Sequence, residues 1–200
     1  MSCAPGTPRS PRTAPEPFVA RRPGGAAILG PVTLAELPAE VLAVLREFRC
    51  CEMATVGPDG TPAAWPMVPL LLLDRDQLLL TTSIGFAAKA ANVRREPRVS
   101  MLFSDPTGSG LSDPPAVLVS GTASVGDRVE TAGDDLEAHW RLVGARQPVS
   151  RWFAASAPGR WFMDWYYMRL LIYVTPRSVL WWPAGEAAAA PRRHDLPHVA

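Results

Sequence analysis

Lysine is almost absent from this chain: of its 20 lysine and arginine residues, only Lys89 is a lysine. Cysteine is also scarce, and the three cysteines form no CxxC or Cys/His ligand spacing, so the sequence predicts neither a disulfide framework nor a metal site. The formal charge of +1 leaves little excess positive charge for bulk attraction to nucleic acid. No apolar run reaches the roughly 20 residues that span a bilayer. We therefore expect neither a nucleic-acid partner nor a membrane partner.

Both ends of the chain have few large apolar residues. Residues 1–31 contain seven prolines and four glycines, and residues 184–200 contain an alanine run and a polar end. Such segments cannot bury enough apolar surface to offset the entropy lost on ordering. We predict a disordered Pro-rich tail at 1–31, a folded domain at 32–183 and a disordered tail at 184–200. No apolar segment of about 7–15 residues follows the N-terminal arginines, so we expect a cytoplasmic protein.

The folded domain reads as short strands joined by tight turns, with a few helices. Apolar residues at helical spacing predict helices within 37–48, 85–97 and 129–146. Pro58-Asp59-Gly60 separates two apolar runs and predicts a hairpin turn, because proline fixes φ and glycine tolerates a positive φ. The predicted strands are 51–56, 61–73, 78–83, 98–103 and 116–125, followed by a pair, 168–176 and 178–183, around a Thr-Pro-Arg turn. Such meandering strands favour a small antiparallel barrel over a parallel sheet.

One stretch suggests chemistry before any comparison. The strand at 78–83 ends in Thr81, Thr82 and Ser83, and a glycine and a helix start follow. Hydroxyls and free backbone N–H groups at a helix start favour an anion, and Lys89 lies one turn further along the helix. Taken alone, the same residues are more typical of a helix cap and a solvated lysine than of an anion site.

The blocks "ATVGPDGTPAAWPMV", "LLLTTS", "AKAANVRREPRVSMLF" and "VSGTASV" resemble, in order and spacing, the pyridoxamine 5'-phosphate oxidase-like family. This family includes flavin- and deazaflavin-dependent reductases. The resemblance covers about 37–126, with a looser match of "YVTPRSVLWWP" to the family's closing strands. The pattern KxxNxRRxPRV after a strand ending in Thr and Ser is its most specific part.

The resemblance implies a mainly β fold, a six-stranded antiparallel split barrel of the FMN-binding type with flanking helices. It implies a homodimer with the cofactor at the interface: FMN or, alternatively, the deazaflavin coenzyme F420. By matching position, Thr81, Thr82, Ser83 and Lys89 would hold the cofactor phosphate, and the backbone of Trp65, Pro66, Met67 and Val68 would lie along the ring. Trp181 and Trp182 would approach the partner subunit's cofactor. The implied activity is hydride transfer to or from an unidentified small molecule.

The sequence departs from the family at several positions. Relatives commonly carry an arginine one or two residues before the lysine, where this chain has Ala87 and Ala88. True pyridoxamine phosphate oxidases have basic residues along the second strand, where this chain has Trp65 and Leu70, and they carry a C-terminal substrate motif that is missing here. We therefore expect a different substrate, and the alternative of a non-catalytic or weakly flavin-binding split-barrel dimer stays open.

Three further features have less certain roles in the sequence. Arg94, Arg95 and Arg98 either compensate for the missing arginine or are solvated charges at a helix end. His139 is expected to be partly exposed and structural. The aromatic residues of 151–167 are expected to belong to the core or a dimer contact, and they would also suit one wall of a cofactor cleft.

Overall fold

The computed structural model describes residues 33–146, 164–184 and 188–197. The predicted tail at 1–31 and most of the aromatic-rich segment, including Trp152, Phe153, Trp161 and Phe162, lie outside the described residues. The domain boundaries therefore stay predictions.

Four α-helices occur in the described part of the chain: α1 Ala39–Glu47, α2 Ala88–Arg95, α3 Asp134–Arg146 and the single turn α4 Asp164–Tyr167. Pro38 is the N-cap of α1, where its missing N–H costs nothing. α2 is shorter than predicted because residues 84–86 form a separate 3-10 turn. Among the described residues, no helix is long and apolar enough to cross a membrane.

The strands form one antiparallel sheet. In chain order they are β1 Cys51–Val56, β2 Pro62–Met67, β3 Leu70–Leu72, β4 Gln77–Ser83, β5 Arg98–Phe103, β6 Ala116–Val125, β7 Arg169–Trp182 and β8 Arg192–Asp195. The spatial order is β2-β1-β5-β6-β7-β4-β3, and β8 also pairs with β7. The sheet curls into a half-barrel with flanking helices. This confirms the split-barrel prediction, except that the described chain has eight strands rather than six.

The predicted hairpin after β1 is present. The N–H of Gly57 donates to the carbonyl of Thr61 at 2.7 Å, and Gly60 takes a φ of +83° that glycine tolerates without a steric penalty. The run predicted as one strand at 61–73 is divided into β2 and β3, so the chain leaves the first edge of the sheet and enters the other within three residues. The two edge strands of the half-barrel, β2 and β3, are therefore consecutive in the chain.

Both faces of the sheet are covered. Leu78 and Leu80 of β4 join the main core, to which α1 contributes Val41 and Leu45. Leu79 points to the opposite face and packs with Leu136 of α3 and Leu171. β4 is therefore buried on both sides, as its apolar sequence without alternation suggests.

The segment predicted as two strands around a Thr-Pro-Arg turn is one continuous strand, β7, so that prediction is wrong. Pro176 lies opposite Gly121 at an irregularity of the β6–β7 register. On the other side of β7, pairing with β4 ends at Val174 and pairing with β8 begins at Ser178. Pro176 thus occupies a gap between two partners, where its missing N–H is tolerated.

Part of the segment predicted to be a disordered C-terminal tail is paired. Residues 192–195 form β8, whose register runs from Ser178 opposite Asp195 to Trp181 opposite Arg192. The composition of the segment is polar, and its order comes from the edge that β7 offers beyond the end of β4.

The close approach of β6 and β7 at the irregularity requires a residue without a side chain. A Cβ on Gly121 would lie 2.3 Å from the carbonyl oxygen of Thr175 and 2.9 Å from the Cα of Pro176. We expect Gly121→Ala to lower the free energy of unfolding by about 1–3 kcal/mol, because the backbone of β7 must move. Urea unfolding measures the change. Gly126→Ala is the matched control, since nothing lies within 4 Å of its added Cβ; equal effects of the two substitutions would contradict the explanation.

Candidate functional site: a buried anion receptor

A cavity lies beside the end of β4, beyond the point where β3 stops pairing with it. β3 pairs with β4 only from Leu72 opposite Gln77 to Leu70 opposite Leu79, so the following residues of β4 have a free edge. The cavity at this edge has a volume of about 250 Å³. It is lined by the Pro66–Val68 segment, the Thr81–Ser83 segment, the helices α2, α3 and α4 and the first residue of β7.

The backbone at this edge faces the cavity. The N–H of Ile84 donates to the carbonyl of Met168 at 3.1 Å, which continues the β4–β7 ladder in register. In an antiparallel pair, alternate residues bond to the same neighbour, so Thr82 bonds toward β7 and Thr81 and Ser83 present their backbone groups to the free edge. In agreement, the carbonyl of Thr81 accepts a hydrogen bond from the side chain of Arg169 at 3.3 Å.

Lys89 is buried beside the inner face of β4, with 7% of its surface exposed. Its Nζ donates to Thr82 Oγ1 at 3.1 Å and to the carbonyl of Phe86 at 3.2 Å, and it lies 5.5 Å from the centre of the Trp65 ring. All these partners are neutral. Burial lowers the pKa of Lys89, and the positive charge of Arg169 lowers it further.

Arg169, the first residue of β7, approaches the same cavity from the outer face of β4. Its Nε and Nη2 donate to Thr81 Oγ1 at 3.1 and 2.8 Å, and its Nη1 donates to the carbonyl of Tyr166 at 3.2 Å. The guanidinium carbon lies 5.2 and 5.1 Å from the ring centres of Trp140 and Tyr166. Burial lowers the pKa of Arg169, whose exposed fraction is 8%.

Neither cation has an acidic partner in the described part of the chain. The ion pairs found there involve Arg75, Arg98 and Arg193, and no carboxylate lines the cavity. Glu130 exchanges backbone hydrogen bonds with Arg169 but forms no ion pair with it. Burying unpaired charge is costly, and like charges repel. The geometry therefore provides a receptor for an anion, whose charge would offset both costs.

The three residues predicted to hold a phosphate through their hydroxyls line the cavity, and the hydroxyls of Ser83 and Thr82 already have hydrogen-bond partners within the chain. Ser83 Oγ donates to the carbonyl of Trp165 at 2.7 Å and accepts from the N–H of Gly85. Thr82 Oγ1 donates to the carbonyl of Phe86 at 2.9 Å and accepts from Lys89. These two side chains hold the turn after β4 and orient Lys89.

The remaining predicted site residues fall into two groups. Pro66, Met67 and Val68 line the cavity, and Trp65 reaches it through Lys89. Trp181 and Trp182 lie at the far end of β7, twelve and thirteen residues from Arg169, which corresponds to about 40 Å along a strand. Trp181 is buried in the main core. Their proposed approach to a partner's cofactor stays a prediction.

Two arginines of the KxxNxRRxPRV pattern, Arg94 and Arg95, connect α2 to neighbouring segments, and the third, Arg98, pairs locally. Arg95 donates to the carbonyl of Val56 at 2.6 Å, Arg94 donates to the carbonyl of Gly126 at 2.7 Å, and Arg98 pairs with Glu96. None of them lines the cavity. The second cation at the cavity is Arg169, and whether the three arginines compensate for the missing arginine stays a prediction.

Two basic residues of the cavity, Arg169 and His139, are not among the site residues that the sequence predicts. Arg169 follows a methionine and precedes the apolar run Leu170–Ile172, and a charge at the start of a buried strand is the signal that could have identified it. His139 was expected to be partly exposed, but only 2% of its surface is accessible, so that prediction is wrong. Its Nε2 lies 3.0 Å from Thr81 Oγ1. Burial and the charge of Arg169 lower the pKa of His139 to about 4.

The described part of the aromatic-rich segment belongs to this site. Tyr166 lines the cavity, its ring centre lies 6.0 Å from that of Trp140, and the Trp165 ring packs edge-on against Phe86. Tyr166, Trp140 and Phe86 form one wall of the cavity, and Trp165 packs against Phe86.

The model of the pyridoxamine 5'-phosphate oxidase family matches residues 37–156. This match spans more than half of the sequence, and the chain belongs to that family. No curated protein matches the chain.

Solved structures share the fold at low identity. A pyridoxamine 5'-phosphate oxidase-related, FMN-binding protein from Nostoc punctiforme is 17% identical with a TM-score of 0.50, and the alignment covers 82% of this chain and 98% of that one. A conserved hypothetical protein from Mycobacterium tuberculosis is 20% identical with a TM-score of 0.51, over 82% of this chain and 91% of the other. A heme-binding protein from Mycobacterium smegmatis is 18% identical with a TM-score of 0.50, over 79% and 58%.

The two cations predict a measurable anion affinity. Inorganic phosphate should bind the protein, and Lys89→Ala and Arg169→Met should each weaken its binding by about 1–3 kcal/mol, the value of a charge-assisted hydrogen bond. Isothermal titration calorimetry measures the affinities. Arg98→Ala is the control, because Arg98 is exposed and paired with Glu96. Wild-type affinity in both cavity variants would contradict the assignment, provided that thermal unfolding shows them folded.

Proposed function

We propose that the protein is an oxidoreductase that uses FMN or the deazaflavin coenzyme F420 for hydride transfer to or from a small molecule. The observation that carries the proposal is the pair of buried cations, Lys89 and Arg169, which share one cavity without a carboxylate partner among the described residues. The phosphate that both cofactors carry supplies the missing negative charge. Family membership supports this chemistry over other uses of an anion.

The cavity fits the phosphate end of such a cofactor. Lys89 and Arg169 would hold the phosphate from the two faces of β4, and the backbone N–H groups of Thr81 and Ser83 point to the same edge. A volume of about 250 Å³ is too small for a three-ring system together with its side chain. The ring would therefore lie outside the cavity, along the Pro66–Val68 segment that forms its wall.

The bound cofactor would supply the hydride-accepting or hydride-donating centre, and the residues of the chain would bind and orient it. No carboxylate or cysteine of the described residues lines the cavity, and Ser83 and His139 are not hydrogen-bonded to each other. This suits chemistry in which the protein provides position and electrostatics. Met67 and Val68 would shield one side of the ring from water. We further propose a homodimer that completes the ring site at the interface, and a substrate other than pyridoxamine phosphate, since Trp65 and Leu70 replace basic residues.

The alternative function is a split barrel that binds a flavin without turnover. The specific observation behind it is the pair Ala87 and Ala88, which leaves Lys89 as the only cation contributed by the first turn of α2. The two functions differ in whether the bound cofactor exchanges electrons with a second molecule.

The test titrates FMN and F420 in parallel against the purified protein and follows absorbance and fluorescence. We expect one cofactor to bind with at least tenfold higher affinity, and we expect Lys89→Ala to weaken that binding. Reduction of the complex by a nicotinamide donor, or by reduced F420, followed by reoxidation with a panel of small acceptors, tests turnover. Binding without any electron exchange would support the alternative; the absence of binding to either cofactor would refute both.

A further inference from the structure

The hydrogen bonds around Thr81 define the protonation state of His139. A guanidinium only donates, so the two contacts from Arg169 occupy both lone pairs of Thr81 Oγ1. The hydroxyl proton must then point to the third neighbour, His139 Nε2, at 3.0 Å. His139 Nε2 is therefore an acceptor, and the neutral imidazole carries its proton on Nδ1.

This leaves a buried group without a partner. His139 Nδ1 is inaccessible to solvent and makes no hydrogen bond with any described residue. Buried polar groups are usually paired, and an exception in a polar cluster calls for an explanation. The series of hydrogen bonds from Arg169 through Thr81 to His139 therefore ends at His139 Nδ1, which has no partner among the described residues.

The charged and titratable groups near His139 are dominated by cations. Arg169 faces it from β7, Lys89 lines the same cavity from α2, and Tyr166 approaches from α4. Asp135, one turn earlier in α3, is already bound by Arg75 and by the hydroxyl of Tyr173. The carboxylate of Glu130, beside Arg169, forms no ion pair in the described part of the chain. The positive charge of Arg169 disfavours a proton on the imidazole as long as no anion offsets it.

From this geometry we infer that an anion enters the cavity together with a proton that is taken up by His139. The inference rests on the proposed function, because it concerns the same anion site. His139 is a positioning residue: it acts on the anion through Thr81 and Arg169.

Protonation of His139 is coupled to anion binding because Thr81 Oγ1 has only two lone pairs. When Nε2 gains a proton it becomes a donor to Thr81 Oγ1, which already accepts two N–H groups and has no third lone pair. One guanidinium N–H must leave Thr81, and it is then free to bind the anion. The proton comes from solvent, and the negative charge of the anion offsets the charge that it adds. Without an anion the same proton would add a third positive charge to the cavity.

Linkage between proton binding and anion binding fixes the direction in which anion affinity changes with pH. The pKa of His139 is lowered to about 4 without an anion and rises when an anion is bound, so binding takes up protons between these two values. Affinity should therefore increase as pH falls, with a limit of about tenfold per pH unit for one proton.

Sulfate is the probe for the test, because its charge stays constant across the range from pH 5 to pH 7. Calorimetric titration at pH 6 in two buffers of different ionisation enthalpy gives the number of protons taken up, and titrations at pH 5, 6 and 7 at constant ionic strength give the slope. We expect net proton uptake and tighter binding at lower pH for the wild type. For His139→Gln, which cannot take up a proton, we expect no uptake and no slope. His194→Gln is the control and should behave as the wild type.

The possible results separate the role of His139 from the existence of the anion site. Sulfate binding without proton uptake overturns the role of His139 and leaves the anion site intact. The absence of sulfate binding overturns the anion site and, with it, the inference. Burial also lowers the pKa of Lys89, so an unchanged slope in His139→Gln would assign the proton to another group and would likewise refute the inference.

The histidine can also be observed directly if His139→Gln does not fold. Nitrogen-15 spectra of the imidazole rings in the wild type distinguish the tautomers and the charged form. We expect an Nδ1-protonated neutral ring without sulfate and a charged ring with saturating sulfate at pH 6. A ring that stays neutral, or one protonated on Nε2 from the start, would overturn the hydrogen-bond assignment.

Discussion

Two positive charges are buried at the free edge of one strand, and much of the surrounding structure provides neutral partners for them. Hydroxyls of β4, carbonyls of the following turn and of α4, and the faces of three aromatic rings together replace water around Lys89 and Arg169. Such partners stabilise a cation less than a carboxylate does. A carboxylate here would neutralise the site. Leaving the two charges without such a partner costs folding free energy, a cost that is common at functional sites.

Much of the fold follows from local sequence signals. The Pro58-Asp59-Gly60 turn, the apolar strands and the helix periodicity are encoded within short windows, and these elements are where the sequence predicts them. The errors lie where distant segments decide. Pro176 looks like a turn residue in its own window, but Gly121, 55 residues earlier, lets β7 continue through it. The strand β8 likewise has no local signal and depends on the free edge of β7.

The residues of the candidate site also differ in whether a local sequence signal identifies them. Lys89 could be predicted, because the strand end, the turn and the helix that carry it are contiguous. Arg169 is marked in the sequence only as a charge at the start of a buried strand, and its place at the cavity depends on the pairing of β4 with β7, with Ser83 opposite Arg169. The three arginines nearest to Lys89 in sequence are candidates for a second cation at the site. Their guanidinium groups bind carbonyls or a neighbouring carboxylate instead. Proximity along the chain was a poor guide to proximity in the cavity.

The single lysine has a practical consequence for chemistry on this protein. Amine-reactive reagents have one side chain to modify, and that side chain is Lys89 at the wall of the cavity. Its lowered pKa raises the fraction of the nucleophilic free amine, whereas its burial limits access for reagents. Acylation of the ε-amino group therefore reports on how open the cavity is. The same modification would remove one of the two charges there, so any lysine acylation in the cell would act directly on the site.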